Sequence, residues 1–238
     1  MIDISKDKNK NGSCLILFSG GQDSTTALFW ALENFNNVYA ISFFYGQKHS
    51  IEISIAKDIC KKLDIKQKIV DISFLEDLVV SGLFESSDKN VADTHPLNPL
   101  LPSSFVPYRN LIFLSLAASY ATVINTNNIV IGVSEADYSG YPDCRKEFIE
   151  SLERTLRLAI DLDNINIITP LISLTKSDIF MLASRLNCLD FIINETMTCY
   201  NGSKIKNDFG FGCGKCPACL LRKKGYEEFL SIVKNLCN

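Results

Sequence analysis

Two short stretches concentrate residue types able to do chemistry. The first is FSGGQDSTTAL, residues 18–28. Adjacent Gly20 and Gly21 let the backbone turn sharply and approach a ligand closely. A helix starting there offers free N–H groups and the positive end of its dipole, which favour an anion. Ser19, Ser24, Thr25 and Thr26 add hydroxyl donors and Asp23 adds a carboxylate. This chemistry suits a phosphate. Neither GxxxxGKS/T nor GxGxxG is present, so neither familiar nucleotide loop applies. A plain strand-to-helix turn with Ser or Asp as the cap accounts for the same residues without a ligand.

The second stretch is Cys213-x2-Cys216-x2-Cys219, which follows Cys199 by fourteen residues. Four thiolates close a tetrahedral zinc site at about 2.3 Å per bond, with no open position, so its expected role is structural. Gly210, Gly212 and Gly214 allow tight folding around an ion. Such a site carries a charge of about −2, which Lys215, Arg222, Lys223 and Lys224 lie near enough in sequence to offset. Two other readings compete. One is an iron–sulfur site, for which the fourth cysteine falls on the wrong side. The other is a zinc ribbon that binds nucleic acid.

The elements that must position these stretches show in the apolar pattern. CLILF at 14–18, VYAISFF at 38–44, QKIVDI at 67–72, NIVIGV at 128–133 and INIITP at 165–170 read as buried strands. Between them, 25–35, 50–63, 110–125, 147–161 and 173–187 read as helices, the last with Ser173 as its expected cap. A final helix is expected from about 220 to 235, after the cysteines. The segment 81–108 holds four prolines and reads as a long functional loop. Strands alternating with helices predict an α/β fold with a doubly wound, Rossmann-like parallel sheet. Ligands in such sheets sit at the carboxyl ends of the strands.

Composition narrows the classes. The 238 residues are 47% hydrophobic and 21% charged, with 27 acidic against 24 basic residues and a net charge of −3. That excludes a mostly disordered chain and argues against binding nucleic acid through bulk charge. No run reaches the roughly 18 apolar residues of a membrane span, and the polar start resembles no secretory signal. A cytoplasmic protein is expected. Nine cysteines, four of them crowded, favour metal over disulfides.

SGGQDS matches the SGGxDS signature of the PP-loop ATP pyrophosphatases, and the wider pattern resembles one family, the 7-cyano-7-deazaguanine synthases of queuosine biosynthesis. The resemblance rests on FSGGQDSTTAL at 18–28, FYGQKHS at 44–50, FVPYRNLIFLSLAAS at 105–119 and GVSEADYSGYPDCRKEFI at 132–149. TPLISLTKSDI at 169–179, TCYNG at 198–202 and CGKCPACLLRKKGYEEF at 213–229 extend it over nearly the whole chain. It implies a PP-loop ATP-binding domain at 1–190, a zinc-binding C-terminal portion at 191–238 and a homodimer. The implied reaction is ATP-dependent ligation of ammonia to 7-carboxy-7-deazaguanine, through an adenylated carboxylate and an amide, to give the nitrile. Magnesium is expected beside ATP.

On that resemblance, Phe18, Ser19, Gly20, Gly21, Gln22, Asp23, Ser24, Thr25, Thr26, Ala27 and Leu28 form the ATP loop. Ser19, Asp23, Ser24 and Lys176 are the catalytic candidates. A purine-like substrate needs an aromatic platform and hydrogen bonds to its edge. Tyr45, Gln47, Arg109, Asn110, Asp137, Tyr138, Tyr141, Asp143 and Arg145 are the candidates, with Asp137 or Asp143 taking the ring donors and Arg145 the carboxylate. His49 is a candidate general base, but an isolated histidine more often packs or caps, and His49 and His95 are read that way. Lys48 stands where arginine is expected, losing its planar fork. Tyr108 stands where glycine is common, with narrowing of the pocket mouth as its expected effect. A tRNA-modifying adenylating enzyme is the alternative within the superfamily, but the basic run Lys223–Lys224 is short. A zinc-ribbon regulator would not need SGGQDS.

Overall fold

The computed structural model describes residues 10–46, 51–84, 94–96, 98–136, 141–161 and 164–236. Strand β1 (Asn11–Leu17) leads into helix α1 (Gln22–Asn34), β2 (Phe35–Phe44), α2 (Ile51–Lys62) and β3 (Lys66–Asp71). A small ribbon, β4 (Thr94–His95) with β5 (Asn98–Pro102), precedes α3 (Arg109–Val123), β6 (Asn128–Ile131), α4 (Lys146–Ile160) and β7 (Asn166–Ile168). Helices α5 (Lys176–Arg185) and α6 (Leu189–Glu195), the ribbon β8 (Lys206–Asn207) and β9 (Gly210–Phe211), and α7 (Pro217–Leu236) complete the order.

Five strands form one parallel sheet in the order β3-β2-β1-β6-β7. Alternation along β1 explains why helices cover both faces. Leu15 and Leu17 point toward Leu114, Ala117 and Ala118 of α3 and Ile149 and Leu152 of α4. Cys14 and Ile16 point the other way, toward Ala27, Leu28 and Ala31 of α1, Ile59 of α2 and Ile179 of α5. The chain winds outward from β1 to β3 and then returns to β6 on the other side of β1. The order therefore reverses between β1 and β6, where open α/β sheets place their ligands. The expected fold class is observed. No helix among the described residues is long and apolar enough to cross a membrane.

Three local expectations need correction. Helix α5 begins at Lys176 and is capped by Thr175, not Ser173. The Thr175 hydroxyl accepts from the Asp178 N–H, and the Asp178 carboxylate accepts from the Thr175 N–H. A capping box needs a carboxylate or amide three residues on, and the residue three after Ser173 is Lys176. The loop at 81–108 contains the β4–β5 ribbon and is tied at its base, where Gly82 N–H donates to Ser103 O at 2.7 Å. Tyr108 is 67% exposed and does not line the cavity described below, so it does not narrow the mouth. What its position demands is backbone: Tyr108 has φ +60° immediately before α3, a conformation that glycine adopts without strain.

Helix α7 crosses α5 at Gly225. A Cβ there would lie 2.2 Å from the Lys176 Cβ and 2.9 Å from the Lys176 carbonyl carbon. Gly225→Ala is therefore expected to force the helices apart and lower stability by about 2 kcal/mol or more. Urea unfolding should show a lower midpoint with an unchanged slope.

Candidate functional site

Strand β1 ends under the glycine loop. Phe18 N–H donates to Ile41 O at 2.8 Å, and Phe18 O accepts from the Ser42 hydroxyl, so the strand end is fixed against β2. Gly20 has φ +77°, and a Cβ on it would lie 2.9 Å from the Ala56 backbone nitrogen. Only glycine fits that turn against α2. Gly132, just past β6, answers the same need from the other side: its Cβ would come within 2.9 Å of Asp23 O. Inside the loop, the Ser19 and Ser24 hydroxyls lie 3.0 Å apart, and Gly21 N–H donates to Ser19 Oγ. The N-cap of α1, Gly21, supplies no side-chain hydrogen bond, and beyond the Gln22 N–H, which Thr198 accepts, the first-turn N–H groups suit an anion.

Lys176, at the first position of α5, is buried, and its Nζ meets Asp23 Oδ2 at 2.6 Å. The second oxygen, Asp23 Oδ1, is buried without a hydrogen-bond partner among the described residues. A carboxylate oxygen without a donor, beside a phosphate-type cradle, suits a hard cation such as magnesium. Phe18, Ser19, Gly21, Asp23, Ser24 and Lys176 all line one cavity of about 310 Å3. Of the remaining loop candidates, Gly20 shapes the turn and Gln22, Thr25 and Thr26 are buried beside it. Ala27 and Leu28 are core residues under the sheet.

The same cavity extends to an aromatic half lined by Tyr45, Phe113, Tyr141 and Tyr200, with Arg109 and Asn110. Phe43 stacks on Phe113 at 4.3 Å, and the Arg109 guanidinium lies 5.7 Å from the Tyr141 ring centre. Tyr141 is held by Ser104 at 2.8 Å and lies 3.4 Å from the Tyr200 hydroxyl. Burial pushes the Tyr45 hydroxyl up to about 12, and the Arg109 charge only partly offsets that. Burial also works against the Arg109 charge, but Tyr45, Asp143 and Tyr141 hold its pKa above the ordinary value.

Other substrate candidates are placed differently. Asp143 is buried, and its Oδ2 accepts from the Asn110 N–H at 3.1 Å, while Asn110 Nδ2 donates to Asp143 O. Its carboxylate thus serves the start of α3, and it does not line the cavity. Arg145 is exposed and also lies off the cavity. His95 is buried, with Nε2 2.8 Å from Val80 O. Gln47, Lys48, His49, Asp137 and Tyr138 lie outside the described residues. Several lining residues were not among the sequence candidates, including Phe113, Tyr200 and, in the first turn of α2, Glu52. The available signal was its spacing: Glu52, Ala56 and Ile59 share a helix face, and the latter two are buried.

The four cysteines come together. The Sγ atoms of Cys199, Cys213, Cys216 and Cys219 all lie within 4.8 Å of one another. A tetrahedral zinc site with bonds of about 2.3 Å needs sulfur separations of roughly 3.8 Å. Cys213 Sγ accepts from the N–H groups of Lys215 and Cys216, and Cys199 Sγ from the Cys213 N–H. Such donors stabilise thiolate. The side chain of Asn207 closes the turn by donating to Gly212 O at 2.9 Å. By contrast, burial pushes Cys14, Cys60, Cys144 and Cys188 up to about 12, as expected for inert core thiols.

The cysteine turn also touches the glycine loop. Met197 N–H donates to Gly20 O, and Gln22 N–H donates to the Thr198 hydroxyl, each at 3.4 Å. Thr198 Oγ1 in turn accepts from Arg222 Nη1 at 3.2 Å, and Arg222 also donates to Ile192 O and Thr196 O. Arg222 is 1% exposed; burial lowers it to about 10, against the opposing charges of Asp23 and Cys219. Cys199 itself lines the cavity. Disrupting the cluster with Cys216→Ala is expected to lower bound metal and raise the ATP dissociation constant together. Metal analysis and calorimetry check this, and unchanged ATP affinity in a folded, metal-depleted sample would contradict it.

Comparison with known proteins agrees with this geometry. The family model described as queuosine biosynthesis protein QueC matches residues 13–230. The 7-cyano-7-deazaguanine synthase of Helicobacter acinonychis is 50% identical over 217 residues, covering 91% of this chain and 96% of that protein. The synthase of Clostridium acetobutylicum is 48% identical over 233 residues, covering 98% of this chain and all of that protein. Among solved structures, a 4-thiouridine synthetase–RNA complex with bound ATP shares the fold, with a TM-score of 0.50 and 16% identity over 92% of this chain and 50% of that one. So does the U34-tRNA thiolase NcsA of Methanococcus maripaludis, with a TM-score of 0.50 and 15% identity over 95% of this chain and 67% of that one. Matched along almost its whole length, this chain belongs to the QueC family, the 7-cyano-7-deazaguanine synthases.

Proposed function

We propose that the cavity between the glycine loop and the aromatic wall is where this chain works as an ATP-dependent 7-cyano-7-deazaguanine synthase. The observation that carries this reading is one continuous space with a phosphate cradle at one end and an aromatic, arginine-bearing wall at the other. A reaction joining a nucleotide to a flat heteroaromatic acid needs both.

A carboxylate resists ammonia because its oxygen is a poor leaving group. Attack of that carboxylate on the α-phosphorus of ATP releases pyrophosphate and gives an acyl-adenylate. The N–H groups at the start of α1, with Ser19 and Ser24, stabilise charge building on the departing pyrophosphate. Lys176 adds positive charge there and orients Asp23. Asp23, with one carboxylate oxygen unpartnered among the described residues, would hold magnesium, which would supply further charge neutralisation. Tyr45, Tyr141 and Arg109 position the acid, the tyrosines by ring contact and the arginine by its charge. Unprotonated ammonia then attacks the acyl carbon and AMP leaves. The amide oxygen then attacks the α-phosphorus of a second ATP, releasing pyrophosphate, and departs with AMP as the nitrogen loses its two protons to solvent and the nitrile forms. With Asp143 committed to α3 and Arg145 facing solvent, Arg109 takes the role of meeting the substrate carboxylate.

In this reading the four thiolates hold zinc in a structural role, since no coordination position is left for a substrate. The reading also includes a homodimer, ammonia taken free from solution and a cytoplasmic location. A tRNA-modifying role is not favoured, because the resemblance to tRNA enzymes extends to the fold alone.

Two measurements test it. With ATP, magnesium and ammonium, 7-carboxy-7-deazaguanine labelled with 18O in its carboxylate should deliver label to AMP; unlabelled AMP would contradict acyl-adenylate formation. Asp23→Asn should lower kcat by about 100-fold or more, the scale set by loss of one transition-state electrostatic group, with bound metal at the cysteines retained. Full activity would remove Asp23 from the machinery.

A further inference from the structure

Glu52 is a carboxylate set into the aromatic half of the cavity. It shares that wall with Tyr45, Arg109, Phe113, Tyr141 and Tyr200. It sits on the face of α2 that otherwise carries buried Ala56, Ile59 and Cys60. Among the described residues, no hydrogen bond or ion pair holds its carboxylate. Burial raises it to about 7, against the lowering effect of the Arg109 charge. Placing a carboxylate there is costly unless something supplies donors. Arg109 and the tyrosine hydroxyls share the wall, but none hydrogen-bonds the Glu52 carboxylate among the described residues, which leaves it open to donors brought by a ligand.

Two flat bases enter this cavity on the reading above, and they differ at their edges. The adenine of ATP presents an exocyclic amine beside a ring nitrogen that is an acceptor. A carboxylate facing that edge gains one hydrogen bond and suffers lone-pair repulsion at the other. A 7-deazaguanine ring presents a ring N–H beside an exocyclic amine, two parallel donors. Those match the two oxygens of a carboxylate. The opposite requirement, a donor edge for adenine, is not met at this position.

We propose that Glu52 is the residue that reads the guanine-type edge, accepting from the ring N–H and the 2-amino group, and thereby assigns the aromatic half to the acid and leaves the loop half to ATP. This rests on the synthase reading and adds a specificity determinant to it. With the edge held at Glu52, the ring lies among Tyr45, Phe113, Tyr141 and Tyr200. Glu52 acts by binding and orientation, and no proton needs to pass through it.

The test compares two ligands on two proteins by calorimetry, using the full chain with its cysteine metal. The ligands are 7-carboxy-7-deazaguanine and its analogue lacking the 2-amino group. The wild-type chain should bind the analogue about 30-fold more weakly, the scale of one bidentate contact. In Glu52→Gln, affinity for the parent acid should fall by a similar factor and the ratio between ligands should collapse to about threefold or less. ATP affinity, metal content and thermal midpoint should be unchanged in that variant. Kinetics should show KM for the acid rising more than kcat falls. An unchanged ligand ratio in Glu52→Gln would overturn the assignment. So would a loss confined to kcat, which marks a proton acceptor instead. If the wild type converts the acid yet ignores the 2-amino group, the synthase reading stands and only the role of Glu52 fails. If the wild type binds neither ligand, both fail.

Discussion

The contact between Lys176 Nζ and Asp23 Oδ2, 2.6 Å long and largely buried, is the constraint around which the site is arranged. It joins the first turn of α1 to the first turn of α5, two helix starts that both direct positive dipole ends toward the cavity. Two cationic helix ends facing one space, with a lysine added, would repel one another in its absence. Asp23 offsets that charge and keeps one oxygen in reserve. The close crossing of α7 at Gly225 holds Lys176 from behind. A side chain of that length, left in solvent, would lose too much rotamer freedom on binding to act as a fixed charge.

A second layer of support comes from the cysteine turn. Its backbone and Thr198 meet the glycine loop at Gly20 and Gln22, and buried Arg222 draws the end of α6, Thr196 and Thr198 together. The positive charge of Arg222 is buried without a carboxylate hydrogen-bonded to it among the described residues. The charges of Asp23 and Cys219 oppose that burial. The cysteine turn therefore contributes to the site twice, by bracing the glycine loop and, through Cys219, by opposing the burial of a cation. A distant fold staple would do neither.

Much of this was legible in the residues. CLILF, VYAISFF and NIVIGV are apolar runs of strand length, and a strand buried on both faces has to read that way. The loop and the four cysteines carried their spacing openly. What the chain concealed are features defined by partners far away in sequence. Asp143 reads as a ligand for a base, and only the fold shows that the start of α3 has claimed it. Glu52 hides in a helix whose isoleucines explain the pattern by themselves. Ser173 and Thr175 both suit a cap, and the choice between them turns on Asp178. The short helix α6 has too few turns to establish a period. Tyr108 shows its meaning in a dihedral angle and not in its side chain.

The order in which the supports occur along the chain has a consequence for biosynthesis. The loop at 18–28 is translated early, but its sheet neighbour β6 begins at Asn128, and its braces are Lys176, Met197, Thr198 and Arg222. A growing polypeptide on the ribosome can form the β1–α1–β2 unit long before it can brace the glycine-loop end of the cavity. The glycine loop therefore gains its full set of braces only after Arg222 has been added to the chain.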